Sequence, residues 1–166
     1  MALLVMASPQ ALAQRQAPEA ELKAAILSNM MLFVDWPNQQ ERAADRLTIC
    51  FMVPEPLTTA LAQLDGKLIR GKPLRILKVD MATIGACNAL YIAPVEAATL
   101  PQLISRLQEG QVLLVGDSPG YLQQGVMINL EIADGRVIFD VNLRAVRKAG
   151  LSVSSKALKL ARQVQE

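Results

Sequence analysis

The segment Gly116-Asp117-Ser118-Pro119-Gly120 matches the pattern G-x-S-x-G and follows the apolar run Val112-Leu113-Leu114-Val115. A serine on a sharp turn after a strand is the setting of a hydrolase nucleophile. That chemistry needs a base to take the serine proton. The chain of 166 residues contains no histidine, which removes Ser-His-Asp and Cys-His arrangements and nearly every catalytic zinc site. A lysine such as Lys156 is the remaining base, and no spacing ties it to Ser118. Asp35 and Asp140 lie far apart in sequence, so no carboxylate pair of the glycosidase kind is suggested. No enzymatic activity, cofactor or metal is therefore expected.

Such a loop is better suited to binding. Backbone N–H groups at the C-terminal end of a parallel strand form a natural cradle for an anion or other ligand. Asp117, Ser118, Asn142 and Arg144 are the candidate binding residues, placed in one cleft at the strand C-termini. Arg144 offers a fixed fork to a carboxylate or phosphate. A basic tract surrounds it: Arg144, Arg147, Lys148, Lys156, Lys159 and Arg162 lie between Asp140 and Glu166 with no acid among them. It reads either as a solvated face or as a docking surface for an acidic partner. The net charge of +2 is too small to imply nucleic acid.

Cys50 and Cys87 are the only cysteines. In an exported protein two cysteines most simply form one disulfide, worth roughly 4 kcal/mol on the loop-entropy model. The alternative is a pair of buried thiols. Export is suggested by the uncharged start. Ala2 to Ala7 is apolar, Pro9 interrupts it, and Ala11-Leu12-Ala13 has the small-x-small form of a signal-peptidase site. Residues 1–13 are read as the remnant of a signal peptide cleaved after Ala13, and 14–166 as the mature domain. No apolar run reaches the ~18 residues that a spanning helix needs.

The elements that must position these residues follow from periodicity. The hydrophobic fraction is 52% and the charged fraction 19%, which excludes a disordered tail. Leu22, Ile26, Met30 and Phe33 recur at helical spacing, so a helix is predicted over about 19–35, ended by Pro37. Asn38 to Arg46 is a polar loop. Leu47 to Val53 reads as a buried strand, Leu57 to Leu64 as a short helix, and Leu68-Ile69 with Leu74 to Val79 as strands around a Gly71-Lys72-Pro73 turn. Ala89 to Ile92 and Val112 to Val115 are further buried strands, separated by a helix with a Leu100, Leu103, Ile104, Leu107 stripe. This alternation argues for an α/β single domain with a mixed, mostly parallel sheet flanked by helices.

Asp134-Gly135 is a strong type I′ hairpin signal. Placing Ala133 opposite Arg136 sets Ile132 against Val137, Leu130 against Phe139, Ile128 against Val141 and Val126 against Leu143, all apolar. Asn129 then faces Asp140, and Met127 faces Asn142. An antiparallel hairpin near 126–143 is predicted. A short basic helix follows, and then a last helix from Ser154 or Ser155 with Ala157, Leu160, Ala161 and Val164 facing inward.

Several of these segments, in this order, resemble the YfiR-like family of periplasmic proteins. They are Leu22 to Ile26 with Phe33-Val34-Asp35-Trp36-Pro37, the strand holding Cys50, and Ala86 to Ile92. Val115 to Gly120 and Gly125 to Leu130 continue the likeness. It is strongest in Arg136 to Arg144 followed by Ala149 to Ser155, and it spans about residues 19 to 164. The resemblance implies a single α/β domain, a disulfide between Cys50 and Cys87, and a periplasmic location. It implies a regulator that inhibits an inner-membrane diguanylate cyclase through the cyclase's periplasmic domain, lowering cyclic-di-GMP signalling and biofilm formation. In the best-known members an outer-membrane lipoprotein sequesters the inhibitor, and homodimers occur. Some members carry a second cysteine pair in the region matching Tyr121 to Leu130, which this chain lacks. The docking surface expected from the residues is the unpaired side of the hairpin or the first helix. The competing reading is a periplasmic small-molecule sensor with its ligand in the cleft at the strand C-termini.

Overall fold

The computed structural model describes residues 10–37, 45–107 and 110–166. Most of the expected signal peptide, residues 1–9, and most of the expected polar loop, residues 38–44, lie outside them. In chain order the elements are α1 (Gln10–Met30), β1 (Val34–Asp35), β2 (Leu47–Phe51), α2 (Pro56–Ala62), β3 (Leu68–Ile69), β4 (Lys72–Lys78), β5 (Ala89–Ile92), α3 (Leu100–Arg106) and β6 (Leu113–Gly116). They continue with β7 (Ile128–Ala133), β8 (Arg136–Asn142), α4 (Leu143–Lys148), β9 (Ser152–Val153), α5 (Ser155–Leu160) and β10 (Gln163–Gln165).

Eight strands form one sheet in the order β10-β8-β7-β6-β5-β2-β4-β3. Neighbours from β4 through β7 run parallel, as do β10 and β8, whereas β7–β8 and β3–β4 are antiparallel. β2, β5 and β6 are almost entirely buried, as strands covered on both faces must be. Their apolar runs supply that core: Ile49, Leu90, Ile92, Leu113 and Val115 have no exposed surface. The mixed, mostly parallel sheet expected from the alternation is present.

The hairpin forms in the expected register, from Ile128 opposite Val141 to Ala133 opposite Arg136. Asp134 and Gly135 both have positive φ, 50° and 71°, as a type I′ turn demands. The second hairpin turns one residue earlier than expected, on Arg70-Gly71, with Ile69 opposite Lys72. The Cys50–Cys87 disulfide is present, with Cα atoms 6.0 Å apart and both residues buried. It fastens the turn that leads into β5 to the middle of β2.

Three expectations are corrected. α1 starts at Gln10 and ends at Met30. Its early part is rich in Ala, Gln, Glu and Leu, all good helix formers. Its end is cut short because Val34 and Asp35 pair with Val153 and Ser152 of β9. The last helix stops at Leu160, which is 69% exposed, and the chain turns back as β10 alongside β8. That strand covers the hairpin edge that had been expected to stay unpaired. Arg162 locks it there, with Nε 2.9 Å from Asp140 Oδ1 and a second ion pair to Glu131. Trp36 is a buried anchor, its Nε1–H donating to the Asn88 carbonyl at 3.0 Å.

Candidate functional site

From β2 the chain crosses to β4 on one side and later returns to β5 on the other. A reversal of this kind opens a crevice at the C-terminal ends of the strands, where open α/β sheets bind ligands. Four elements send polar side chains there. Glu55 lies between β2 and α2, Tyr91 is on β5, Asp117 follows β6, and Lys23 comes from α1. The crevice, of about 210 Å³, is lined by Glu19, Ala20, Lys23, Glu55, Pro56, Leu57 and Asp117.

Its groups are mutually bonded. Lys23 Nζ lies 2.7 Å from Asp117 Oδ1 and 2.7 Å from Glu19 Oε1. The Tyr91 hydroxyl donates to Glu55 Oε1 and lies 3.4 Å from Asp117 Oδ2. Burial raises the pKa of Glu55, and the charge of Asp117 adds to it, against the Tyr91 hydrogen bond. Burial likewise raises Asp117, opposed by Lys23. Burial works against the Lys23 ammonium, but Asp117 and Glu19 together outweigh it and its pKa is raised. Tyr91 is held far above its ordinary value by burial and the two carboxylates, so it stays a neutral phenol.

Behind this group Glu96 is 5% exposed. Its Oε2 accepts the Ala93 N–H at 2.7 Å, and its Oε1 has no partner among the described residues. Burial raises its pKa as well, with the charge of Glu55 contributing.

The loop after β6 is shaped by sterics and one amide. A Cβ on Gly116 would stand 2.4 Å from the Tyr121 ring, so only glycine lets that ring close over the strand end. Asn129 clasps the loop, accepting the Ser118 N–H at 3.2 Å and donating to the Ser118 carbonyl at 3.0 Å. The chain then enters a series of turns up to Gly125, where a nucleophile elbow would continue into a helix.

The structure divides the four residues expected in one cleft. Asp117 and Ser118 stand beyond the C-terminal end of β6. β8 runs against β7, so Asn142 and Arg144 project towards the other end of the sheet. There they line a groove of about 370 Å³ with an apolar floor that includes Ile104, Leu107, Leu114 and Met127. Asn142 caps α4, its Oδ1 accepting the Ala145 N–H at 3.0 Å, while its Nδ2 donates to the Leu122 carbonyl at 3.1 Å. Arg144 is exposed and donates to the Glu166 carbonyl at 2.9 Å. Lys148 joins it on the wall.

Sequence reasoning missed Lys23, Glu55 and Tyr91. Lys23 and Asp117 are 94 positions apart, and Glu55 and Tyr91 36. The one available signal was that Glu55 closely follows a buried strand, between Pro54 and Pro56. Among the described residues no cluster of Cys, Asp and Glu could hold a metal ion, and no helix is long and apolar enough to cross a membrane.

A family model described as YfiR/HmsC-like matches residues 20–162. Among solved structures, the chain is similar to a conserved domain protein from Vibrio cholerae, at 12% identity and a TM-score of 0.56 over 88% of this chain. It is also similar to the ABC domain from Streptococcus pneumonia in complex with L-Trp, at 12% identity and a TM-score of 0.52 over 76% of this chain. The chain spans 60% and 57% of those two chains. At that identity the two likenesses establish the fold alone.

Proposed function

This chain belongs to the YfiR/HmsC-like family, and from that premise we propose that it is a periplasmic regulator of an inner-membrane diguanylate cyclase. It binds the cyclase's periplasmic domain and inhibits it, which lowers cyclic-di-GMP and biofilm formation. It acts by contact and catalyses nothing. An outer-membrane lipoprotein that sequesters it, and a homodimeric state, belong to the same proposal. So does a signal segment removed after Ala13, a position that lies within α1. The observation that carries the reading is the family match over residues 20–162. The Cys50–Cys87 bridge supports it, because structural disulfides persist in oxidising compartments. Deleting the gene is expected to raise cellular cyclic-di-GMP, and the purified protein is expected to capture a membrane cyclase from the inner-membrane fraction. Unchanged cyclic-di-GMP after deletion would count against inhibition.

The groove at the Arg144 end favours a second reading, a sensor for a small molecule. An apolar floor with Arg144 and Lys148 on its wall suits a compound with an apolar body and a carboxylate or phosphate. Occupancy would bias partner affinity, since the two binding events are thermodynamically linked. A thermal-shift screen of amino acids, nucleotides and cell-wall fragments is expected to find such a ligand, and Arg144→Ala to abolish its shift. A shift that survives Arg144→Ala would move the ligand elsewhere.

A further inference from the structure

We propose that Glu55, Tyr91 and Asp117 form a proton relay that takes up one proton on mild acidification and thereby tightens α1 onto the ends of the central strands. The geometry is one phenol between two carboxylates. Tyr91 has a single O–H, which it gives to Glu55, while Asp117 Oδ2 waits 3.4 Å away. The other oxygen of Asp117 holds Lys23, the ammonium that ties α1 to the loop after β6.

The charges facing the relay come from every element around it. α1 brings Glu19 and Lys23, the turn after β5 brings buried Glu96, and Tyr121 packs against the strand end as a neutral phenol. Four carboxylates thus face one ammonium. A proton from solvent settles on Glu55, which, unlike Glu19 and Asp117, forms no ion pair with Lys23 and is already hydrogen-bonded to Tyr91. The new Glu55 O–H then donates to the Tyr91 oxygen. The Tyr91 O–H, freed from Glu55, turns to Asp117. None of the three relay groups is left without a partner, the phenol stays neutral, and Asp117 stays ionised for Lys23.

Repulsion between Glu55 and Asp117 disappears, and Asp117 gains a donor that holds it facing α1. The sign follows from linkage. Glu55 has a raised pKa in the closed arrangement, so a proton binds it better than it binds a solvated carboxylate, and protons favour closure.

Hydrogen–deuterium exchange of the amides from Ala20 to Leu27, corrected for intrinsic rates, tests this on the full chain at pH 7.5 and 5.5. Wild type is expected to gain protection at the lower pH, about tenfold for each unit separating the closed and open pKa values. Glu55→Gln, whose amide donates to Tyr91 as the protonated acid would, is expected to be protected at both values. Tyr91→Phe, which removes the hydrogen bond that holds Glu55 down, is expected to move the gain in protection to higher pH. Equal protection of wild type at the two values, or a Glu55→Gln variant that keeps the dependence, overturns the relay. Carbon-13 titration of the Glu55 carboxyl in the wild type needs no variant. A midpoint above the ordinary glutamate range supports the relay, and an ordinary midpoint overturns it.

Discussion

At the C-terminal ends of β2, β5 and β6 the ionisable groups are brought together from four separate segments and largely enclosed. The Lys23 side chain is 9% exposed and that of Asp117 15%. At the opposite end, Arg144 and Lys148 sit one turn apart on a single short helix, and both are exposed. The first end is predominantly acidic and the groove wall at the second is basic. The difference lies in what each charge costs. A charge in a crevice must be paired or its pKa moves, whereas a charge on an open wall keeps its water. The crevice groups are therefore coupled to the fold, and the groove cations are available to whatever binds.

The largest expected effect comes from unfastening the strand that leads to the crevice. Cys50→Ala should lower unfolding stability by about 2–5 kcal/mol in urea titrations, and reduction of the wild type should do the same. An unchanged midpoint would mean that the bridge does not hold β2 to the β5 entry.

A smaller loss is expected from Lys23→Met, about 2 kcal/mol. Deleting one partner of a fully buried pair costs more, about 3–5 kcal/mol, and here Glu19 and part of Asp117 still reach water. Lys148→Met at the groove should change stability by no more than about 0.5 kcal/mol. Equal effects of the two lysine substitutions would erase the contrast between the ends.

The pH response should be smaller again and should belong to the crevice. Glu55, Glu96 and Asp117 have raised pKa values, so the stability they contribute is complete below the ordinary carboxylate range and is lost as pH rises through their folded values. The melting temperature is expected to fall as pH rises above the ordinary carboxylate range, and Glu55→Gln to flatten that slope. A melting temperature that rises instead would reverse the assignment.

Much of the fold was legible where neighbours in sequence decide the outcome. The hairpin register followed from Asp134-Gly135, because a two-residue turn fixes every pairing behind it and a slip would expose the apolar face. The central strands were legible from unbroken apolar runs. β10 was not. Leu160, Ala161 and Val164 keep helical spacing, but Ala161 adopts extended backbone, with Arg162 paired to Asp140 across the sheet edge. β1 was hidden in the same way, since among the described residues its one strand partner is β9. Of the candidate site, Asp117 was found because it follows a strand in a glycine-rich loop. Its partners had no local pattern to announce them.

The sequence alone carried a family resemblance, which implied the bridge, and it determined a set of strands, because apolar periodicity and turn residues act over a few residues. The tertiary structure decided which charged groups meet. The direction of β8 sent Asn142 and Arg144 away from Asp117, and the order of β2, β5 and β6 brought Glu55, Tyr91 and Lys23 to it. Such meetings depend on strand order and direction, which chain closure and packing settle only when the whole sheet is assembled.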